Sequence, residues 1–384
     1  MIKEIQIKNF KCFKSIDINI APLTILAGIN SMGKSTVIES LLLLRESYLK
    51  RQNAISSGEN RIPSFALRLN NQYMRLGHGS DVLCDFSDND VVSMKIVDQD
   101  NVFEDEWIID KNSNSSIMQP MNSYAVTRDK DLFIKSKLFA QNNNSYIDFS
   151  YITADRIGPR SWFEVPDESV EVNHNIGSKG EYAAFYYNAM QNKNIPLLGV
   201  ADQDETPTID FQVNKWMEYI SPNTKIHTIV QTDMDAAQLT YSYSGSAKNR
   251  RSINVGFGLT YTLPIILALL TVQKGGILLL ENPEAHLHPH AQTMLGRLIA
   301  KVVENGAQII LETHSDHIIN GIRVAIKEQS MKSNKLLINF FSASNDKYDS
   351  TPRVTQIKAD KNGKLNDWPK DFLSEWEDNL FKLL

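Results

Sequence analysis

The chain has 384 residues, of which 42% are hydrophobic and 22% charged, a size that suits one large domain or two modest ones. Its formal net charge of -5 and pI near 5.9 argue against a generally basic nucleic-acid coat, although a local basic face stays open. Cys12 and Cys84 are its only cysteines, and neither a signal peptide nor an uncharged apolar run long enough for a bilayer is seen, so we expect a cytoplasmic protein without a disulfide framework or membrane contact.

The first elements are two predicted strands. Isoleucines alternate with polar residues in 5–7 and again in 16–20, on either side of the segment Asn9-Phe10-Lys11-Cys12-Phe13. Alternation with a period of two is typical of a strand with one buried face. We predict that these two strands frame the strand that follows.

Residues 23–36 contain the phosphate-binding pattern G-x-x-x-x-G-K-[ST]. A short apolar run precedes the glycines and a helical run follows at Ser35, which is the order of strand, loop and helix that such a loop needs. Backbone N–H groups of the loop surround phosphate oxygens, the lysine adds a charge near the β- and γ-phosphates, and the serine hydroxyl can ligate Mg²⁺. The predicted nucleotide-binding residues here are Gly28, Asn30, Gly33, Lys34, Ser35 and Thr36.

The middle of the chain is less regular. Polar, broken sequence over about 52–144 carries short strand candidates at 91–97 and 107–109, which indicates a β-rich lobe. A further apolar strand is predicted at 146–153. No heptad pattern or fixed-period repeat is visible, so we expect no long coiled-coil arm.

A helical insert is predicted next, with helices in pieces over 181–219, a linker over 199–207 and β structure over 226–243. Two basic segments flank this region. Arg156 and Arg160 lie in a Gly-Pro turn, which favours a solvated or carboxylate-paired surface, with phosphate contact as the alternative. The run 248–251 is predicted to be a solvated loop, with contact to nucleotide or DNA as the alternative.

Strands alternate with amphipathic helices in the last third of the chain. The segment 252–258 precedes a helix, buried strands are predicted at 276–281 and 308–314, and Ser315 can cap the next helix. This alternation indicates a parallel α/β sheet. From 336 we predict two strands and an amphipathic helix that contains Phe372, Trp376, Leu380 and Phe381.

Acidic and histidine residues follow the predicted strands. A nucleotide hydrolase needs an acid at the Mg²⁺ shell, a group that orients water and often a γ-phosphate sensor. Glu281, Glu284 and His314 are the candidates, with Ser35 and Glu281 at the metal. A metal site is the minority interpretation of the clustered histidines, which are His286, His288, His290, His314 and His317.

Several motifs together resemble the heads of ABC-type ATPases, a group that includes the SMC, RecF and OLD families. They are the Asn9-Phe10-Lys11 strand, the phosphate loop, Val255-Gly256-Phe257-Gly258, Leu-Leu-Leu-Glu-Asn-Pro-Glu-Ala-His-Leu-His-Pro and Leu-Glu-Thr-His-Ser-Asp-His. In particular the chain resembles bacterial AAA-type ATPases that carry a C-terminal DUF3696 domain, whose ending looks like residues 357–376.

The resemblance implies an α/β fold of the P-loop NTPase, ABC-ATPase head type, with a parallel core sheet, helices on both faces, a β-rich lobe and a small C-terminal α/β tail. It also implies ATP and Mg²⁺ as ligands and two heads that sandwich ATP. Asn254, Gly256 and Gly258 would then contact the γ-phosphate of the partner's nucleotide through backbone N–H groups, and His314 would be the switch histidine. The implied segments are the N-terminal half of the ATPase core (1–50), lobe and insert (51–250), the C-terminal half of the core (251–335) and the DUF3696-like segment (336–384).

One position departs from this pattern. ABC-type heads usually end the second strand with Asp-Glu, whereas here Glu281 is followed by Asn282. Asparagine cannot accept a proton, so the usual general base is missing at its usual place. Glu281 can still reach the metal through a water, and Glu281 or Glu284 can orient the attacking water. Slow hydrolysis is therefore a hypothesis.

The leading functional hypothesis is an ATPase that forms a homodimer or a higher even-numbered assembly and controls a separate effector, expected to be a nuclease, in anti-phage defence. About sixty residues follow the last ATPase helix, too few for an appended Toprim nuclease of the OLD kind. The alternatives are a DNA-repair head of SMC or RecF kind and a scaffold that senses ATP without turnover. A transporter subunit is least expected, because the insert between Lys34 and Glu281 is long.

Overall fold

A computed structural model describes residues 1–56, 65–98, 101–111, 114–121, 136–142, 146–343, 351–369, 372 and 383. Its helices are α1 (Lys34–Ser56), α2 (Gly79–Val82), α3 (Ala183–Met190), α4 (Ile209–Glu218), α5 (Phe257–Thr271), α6 (Pro289–Glu304) and α7 (Asp316–Lys327). Its strands are β1 (Ile2–Phe10), β2 (Phe13–Asn19), β3 (Leu23–Gly28), β4 (Leu67–Arg68), β5 (Val91–Asp98), β6 (Asn101–Ile108), β7 (Ile117–Pro120), β8 (Ile147–Ile152), β9 (Phe163–Glu164), β10 (Thr224–Gln231), β11 (Ala236–Tyr243), β12 (Arg250–Arg251), β13 (Val272–Glu281), β14 (Gln308–Glu312), β15 (Leu336–Ser342) and β16 (Arg353–Ile357).

The core sheet has the strand order β16-β15-β3-β14-β13-β8. The five strands from β15 to β8 are parallel to one another, and β16 pairs antiparallel at the edge. Short strands that are apolar on both sides suit a parallel sheet covered on both faces. The parallel core predicted from the sequence is thus confirmed. The strand predicted at 146–153 also belongs to this sheet, at the edge next to β13, and not to the lobe.

Each face of the core sheet packs against its own hydrophobic cluster. Leu26, Leu279 and Ile310 point to the face that α1 and the lobe cover. Their neighbours Ile25 and Leu280 point to the face that α5, α6, α7 and the insert cover. Because successive side chains of a strand face opposite ways, each strand supplies both clusters, and each such fully buried Leu or Ile contributes roughly 1.5–3 kcal/mol to folding.

The lobe is a second, antiparallel sheet with the order β2-β1-β5-β6-β7-β4. The prediction that the first two strands frame the phosphate-loop strand is wrong. Strand β1 pairs with β2 on one side and with β5 on the other, for example Ile7 opposite Met94. The physical reason is the polar face of β1 and β2, since a half-exposed strand has no place beside β3, where both faces are buried.

The insert between β8 and α5 contains α3, α4 and a small sheet of β10, β11 and β12, with β9 paired to β11. Its buried side chains merge with the cluster under α5. The C-terminal segment after β16 is held against α7 by Arg323. The Nε of Arg323 donates to the Gly363 carbonyl at 2.8 Å, and its guanidinium lies over the Trp368 ring.

Of the predicted C-terminal helix, Trp376, Leu380 and Phe381 lie outside the described residues. Among the helices that the structure describes, none has the length and apolarity needed to cross a lipid bilayer.

Candidate nucleotide-binding site

Two glycines shape the loop between β3 and α1. Gly28 has φ +125°, and a Cβ there would lie 2.1 Å from the Phe341 carbonyl oxygen on β15. Gly33 has φ +93°, and a Cβ there would lie 2.3 Å from the ring of Phe13, the first residue of β2. Both positions therefore require glycine for conformation and for space. The loop closes against the core sheet on one side and against the lobe on the other.

Lys34, the first residue of α1, turns its side chain back onto this loop. It is 4% exposed, and its Nζ donates to the carbonyl oxygens of Gly28 at 3.0 Å and Ile29 at 2.8 Å. Burial lowers the pKa of Lys34, and the charge of Glu312 opposes that shift. The loop thus holds a buried ammonium on two carbonyl oxygens, which a phosphate group can replace as acceptors. Of the neighbouring predicted residues, Asn30 is exposed at the loop tip and Thr36 is buried.

Ser35 is bonded to an acid that the sequence analysis did not select. Its Oγ donates to Glu312 Oε1 at 3.0 Å. Glu312 is the last residue of β14, the strand that neighbours β3, and is 6% exposed. Burial raises the pKa of Glu312 to about 7, against the Ser35 hydrogen bond and with help from the charge of Glu281. The sequence feature that could have identified Glu312 is its position as an acid at the carboxyl end of an otherwise apolar strand, directly before Thr313 and His314.

Glu281, the predicted metal acid, ends β13. Its Oε1 accepts from the Tyr151 hydroxyl at 3.0 Å, and its Oε2 accepts from Thr153 Oγ1 at 3.2 Å and from the Ala154 N–H at 3.1 Å. Burial and then the Glu281 charge raise the pKa of Tyr151, so this phenol stays a donor. Both carboxylate oxygens of Glu281 are therefore held by β8 and the turn after it.

Arg156 is buried, so the prediction of a surface arginine is wrong at this position. It is 3% exposed, and its guanidinium donates to the carbonyl oxygens of Thr153 at 2.9 Å, Glu281 at 2.8 Å and Asn282 at 2.8 Å. The chain turns sharply here, since Asn282 has φ +41°. Arg156 thus fixes the backbone at the end of β13, whereas Arg160 is exposed.

Glu284 and His314 are directly joined. Glu284 accepts from the His314 N–H at 2.8 Å with one oxygen and from Thr313 Oγ1 at 2.8 Å with the other. Partial desolvation of the ring and then the charge of Lys34 lower the pKa of His314, and Glu284 opposes them. The lowered pKa favours the neutral form of the His314 ring near Lys34, and Glu284 holds the backbone of His314.

Glu39, one helical turn after Ser35, is a further carboxylate near Glu281 and Glu312. Glu39 Oε2 accepts from Lys11 Nζ at 2.6 Å, and burial raises the pKa of Glu39, with Lys11 opposing and Glu281 adding to the rise. A cavity of about 640 Å³ opens between Glu39 and Glu281 on one side and residues of the lobe, among them Tyr73 and Arg75, on the other. Glu39 and Glu281 therefore face a space that solvent or a hydrated ion can enter.

At this edge of the sheet, two buried oxygens have no hydrogen-bond partner within the part of the chain that the structure describes. They are Glu312 Oε2 and Asn282 Oδ1. The two residues are neighbours across the sheet, since the Asn282 N–H donates to the Glu312 carbonyl at 2.9 Å. Each unsatisfied buried acceptor costs about 1–3 kcal/mol. A hydrated Mg²⁺ and an additional water would satisfy both, so the residues present fit a Mg²⁺–nucleotide ligand.

The predicted signature residues form a separate, exposed patch beside the loop after β13. Gly256 precedes α5 without a side-chain cap, so the first N–H groups of the helix are open to a ligand. Asn254 and Gly256 are exposed, and a Cβ on Gly256 would meet no atom of the described residues within 4 Å. Gly258 faces the His286 carbonyl oxygen, 2.8 Å from where its Cβ would lie. Phe257, 55% exposed, packs its ring against the His286 ring, with the two ring centroids 5.7 Å apart and the planes tilted by 36°.

The clustered histidines have individual contacts. His288 Nδ1 accepts from the His290 N–H at 3.3 Å and caps α6, and His286 also contacts the Tyr261 ring at 4.7 Å. Within the described ranges, no three or more His, Cys, Asp or Glu side chains are arranged to hold a metal ion. The observed contacts of these two histidines are those of a helix cap and of ring packing.

Comparison with known families gives two matches. A family model described as "AAA domain, putative AbiEii toxin, Type IV TA system" matches residues 23–320, and one described as "Protein of unknown function (DUF3696)" matches residues 331–383. A curated relative, the OLD nuclease of Thermus scotoductus, is 41% identical over 44 residues. That match spans 12% of this chain and only 8% of the nuclease.

Solved structures with a similar fold are SMC heads. The SmcHead bound to the C-winged helix domain of ScpA has a TM-score of 0.53 at 15% identity, over 93% of this chain and 98% of that one. A Pyrococcus furiosus Smc head domain with an extended coiled coil, bound to the C-terminal domain of ScpA, has a TM-score of 0.50 at 13% identity, over 100% and 99%. The predicted fold of the P-loop NTPase, ABC-ATPase head type is confirmed.

Proposed function

The chain belongs to the AAA-domain family described as putative AbiEii toxin, Type IV TA system, with a DUF3696 segment at its C-terminal end, and on that premise we propose that it binds ATP with Mg²⁺ and hydrolyses it as a switch. The observation that carries the proposal is the loop itself. The buried ammonium of Lys34 is held on loop carbonyl oxygens, and Ser35 sits against a buried carboxylate. This arrangement neutralises phosphate charge and places an oxygen ligand for Mg²⁺ beside it.

A second copy of the chain completes the site in this proposal. The start of α5, next to Asn254, Gly256 and Gly258, has no side-chain cap from the N-cap residue Gly256, and the exposed Phe257 beside it suits burial in an assembly. Two copies arranged head to head would place each α5 N-terminus on the γ-phosphate bound by the other. The assembly is then a homodimer or a higher even-numbered oligomer that forms around ATP.

Hydrolysis in this assembly is expected to be slow. Asn282 can orient water through its unpartnered Oδ1 but cannot accept a proton. Glu281 and Glu284 are each held by donors on both oxygens, so neither is a free base in this conformation. In the proposal Glu284 positions His314 at the γ-phosphate, and Glu281 fixes the end of β13. The same observations favour a second candidate, an ATP sensor that turns over little or not at all.

The switch is proposed to act on a separate effector, a nuclease, in cytoplasmic bacterial defence. Three observations support an interaction role: the resemblance noted in the sequence, the local likeness to an OLD nuclease, and the fold of heads whose structures contain a bound ScpA domain. An SMC- or RecF-like DNA-repair head remains the alternative. Stimulation of turnover by DNA alone would favour that alternative.

The test is ATP turnover by the purified chain with Mg²⁺, with nucleotide binding and oligomer mass recorded on the same samples. We expect Lys34→Ala to lower turnover about a hundredfold or more, because it removes a cation at the developing phosphate charge. Lys14→Ala, an exposed lysine paired with Asp88, is the matched control and should change nothing. Binding and ATP-dependent mass increase without turnover would favour the sensor, and a wild-type chain that binds no nucleotide would exclude both.

A further inference from the structure

The acid nearest to the phosphate loop lies on β14. Strand β14 sits between β3 and β13, with Glu312 opposite Leu26 on one side and opposite Glu281 on the other. Neighbouring strands are about 4.8 Å apart, so Glu281 stands one strand spacing farther from the loop than Glu312 does. Of these two acids, Glu312 is the one bonded to the Ser35 hydroxyl.

Glu281 and Glu312 also differ in how many hydrogen-bond donors their carboxylate oxygens have. Glu281 has donors on both oxygens, all from β8 and the turn after it. Glu312 accepts from Ser35 with Oε1, and its Oε2 is buried with no hydrogen-bond partner among the residues that the structure describes; the residue is 6% exposed. A buried carboxylate oxygen without a donor is an open position for a cation or for its water.

Resting on the proposed function, we propose that Glu312, and not Glu281, is the carboxylate that supports the Mg²⁺ shell at Ser35. The Ser35 proton goes to Glu312 Oε1, which leaves the hydroxyl lone pairs for the cation. The free Oε2 accepts from a water of that cation, since Mg²⁺ keeps several of its waters in nucleotide sites. Glu281 then has a structural task, to lock β13 to β8 through Tyr151 and Thr153.

The charges around Glu312 also favour a cation beside it. Glu39 and Glu281 both lie close enough to oppose the ionisation of Glu312, and Lys34 favours it. Glu39 is paired with Lys11, but Glu281 and Glu312 end neighbouring strands and repel each other, and a divalent cation beside them would relieve that repulsion. The cavity that borders Ser35, Glu39 and Glu281 supplies the entry path.

The test measures metal binding and not turnover. Mn²⁺ serves as the probe, because its free form gives an electron paramagnetic resonance signal that disappears on binding. Each variant is first saturated with a non-hydrolysable ATP analogue, whose affinity in EDTA is measured separately, and is then titrated with Mn²⁺. The variants are Glu312→Gln, Glu312→Asp and Glu281→Gln, and the control is Glu328→Gln, an exposed acid paired with Arg297.

We expect Glu312→Gln to weaken Mn²⁺ binding by about tenfold or more, with the affinity for the analogue in EDTA unchanged. Glu312→Asp should retain more metal affinity than Glu312→Gln, because a carboxylate remains. A packing role would instead affect both Glu312 variants alike. Glu281→Gln should lower the thermal stability while Mn²⁺ affinity stays near wild type.

The inference is overturned if Glu281→Gln weakens Mn²⁺ binding as strongly as expected for Glu312→Gln, or if Glu312→Gln leaves it unchanged. Equal losses in both Glu312 variants would also overturn it. Failure of the proposed function looks different, because the wild-type chain would then bind no analogue even in EDTA.

Discussion

Gly256 and Gly258 stand two residues apart at the start of α5 in different surroundings. A Cβ at Gly256 would meet nothing within 4 Å in the described ranges, whereas one at Gly258 would lie 2.8 Å from the His286 carbonyl oxygen. We expect Gly258→Ala to lower the free energy of unfolding by about 1–3 kcal/mol, because the loop after β13 must shift. Gly256→Ala should stay within about 0.5 kcal/mol of wild type. Urea unfolding of the nucleotide-free variants measures both.

The same pair separates folding from assembly. If α5 binds the γ-phosphate of a second copy, Gly256→Asp places a carboxylate there and should abolish the ATP-dependent increase in mass while the monomer keeps its stability. A mass increase that persists in Gly256→Asp would contradict the proposed arrangement of the two copies.

At the scale of elements, the turn after β8 and the end of β13 are joined by Arg156. Arg156→Ala removes a donor from the carbonyl oxygens of Thr153, Glu281 and Asn282, of which Asn282 keeps the Ala285 N–H at 3.2 Å, so we expect a loss of about 3 kcal/mol or more of stability. Arg156→Lys should recover only part of the stability lost in Arg156→Ala, since an ammonium cannot reproduce the planar fork of a guanidinium. The exposed Arg160→Ala is the control, and equal denaturation midpoints for the two alanine variants would contradict the role of Arg156.

Helix α1 joins the nucleotide site to the lobe. It begins at Lys34, and near its other end Arg51 and Ser47 both bond to the buried Asp105 on β6. Burial raises the pKa of Asp105 and the Arg51 charge opposes that shift. The helix therefore enters the lobe core through a buried ion pair that only a folded lobe can supply.

At the scale of the molecule, this ion pair predicts how the chain unfolds. Asp105→Ala leaves a buried arginine without its partner, and we expect a loss of about 3–5 kcal/mol. Because α1 and the lobe share one hydrophobic cluster with a face of the core sheet, the whole calorimetric transition should move to lower temperature as a single peak. Asp88→Ala, which breaks an exposed pair with Lys14, should leave the peak in place. A separate low-temperature peak in Asp105→Ala would show that the lobe unfolds independently.

Much of the candidate site could be predicted because it is contiguous in the chain. The loop from Gly28 to Thr36 needs only local properties, namely two glycines with positive φ, a lysine and a hydroxyl between a strand and a helix. The N-cap at Ser315, whose hydroxyl accepts from the Ile318 N–H, is local in the same way. The helices and strands of the last third follow from the spacing of their apolar residues.

The remaining features depend on contacts between distant segments, so no local pattern could reveal them. Ser35 and Glu312 meet because β14 lies beside β3, and Arg156 is buried because β8 joins the core sheet next to β13. Strand order is set by which strands can bury both faces, a property of the whole molecule. The sequence alone thus determined the phosphate loop and the types of its elements, whereas the tertiary structure decided which acid stands at Ser35, since side chains far apart in the chain become neighbours only when the sheet forms.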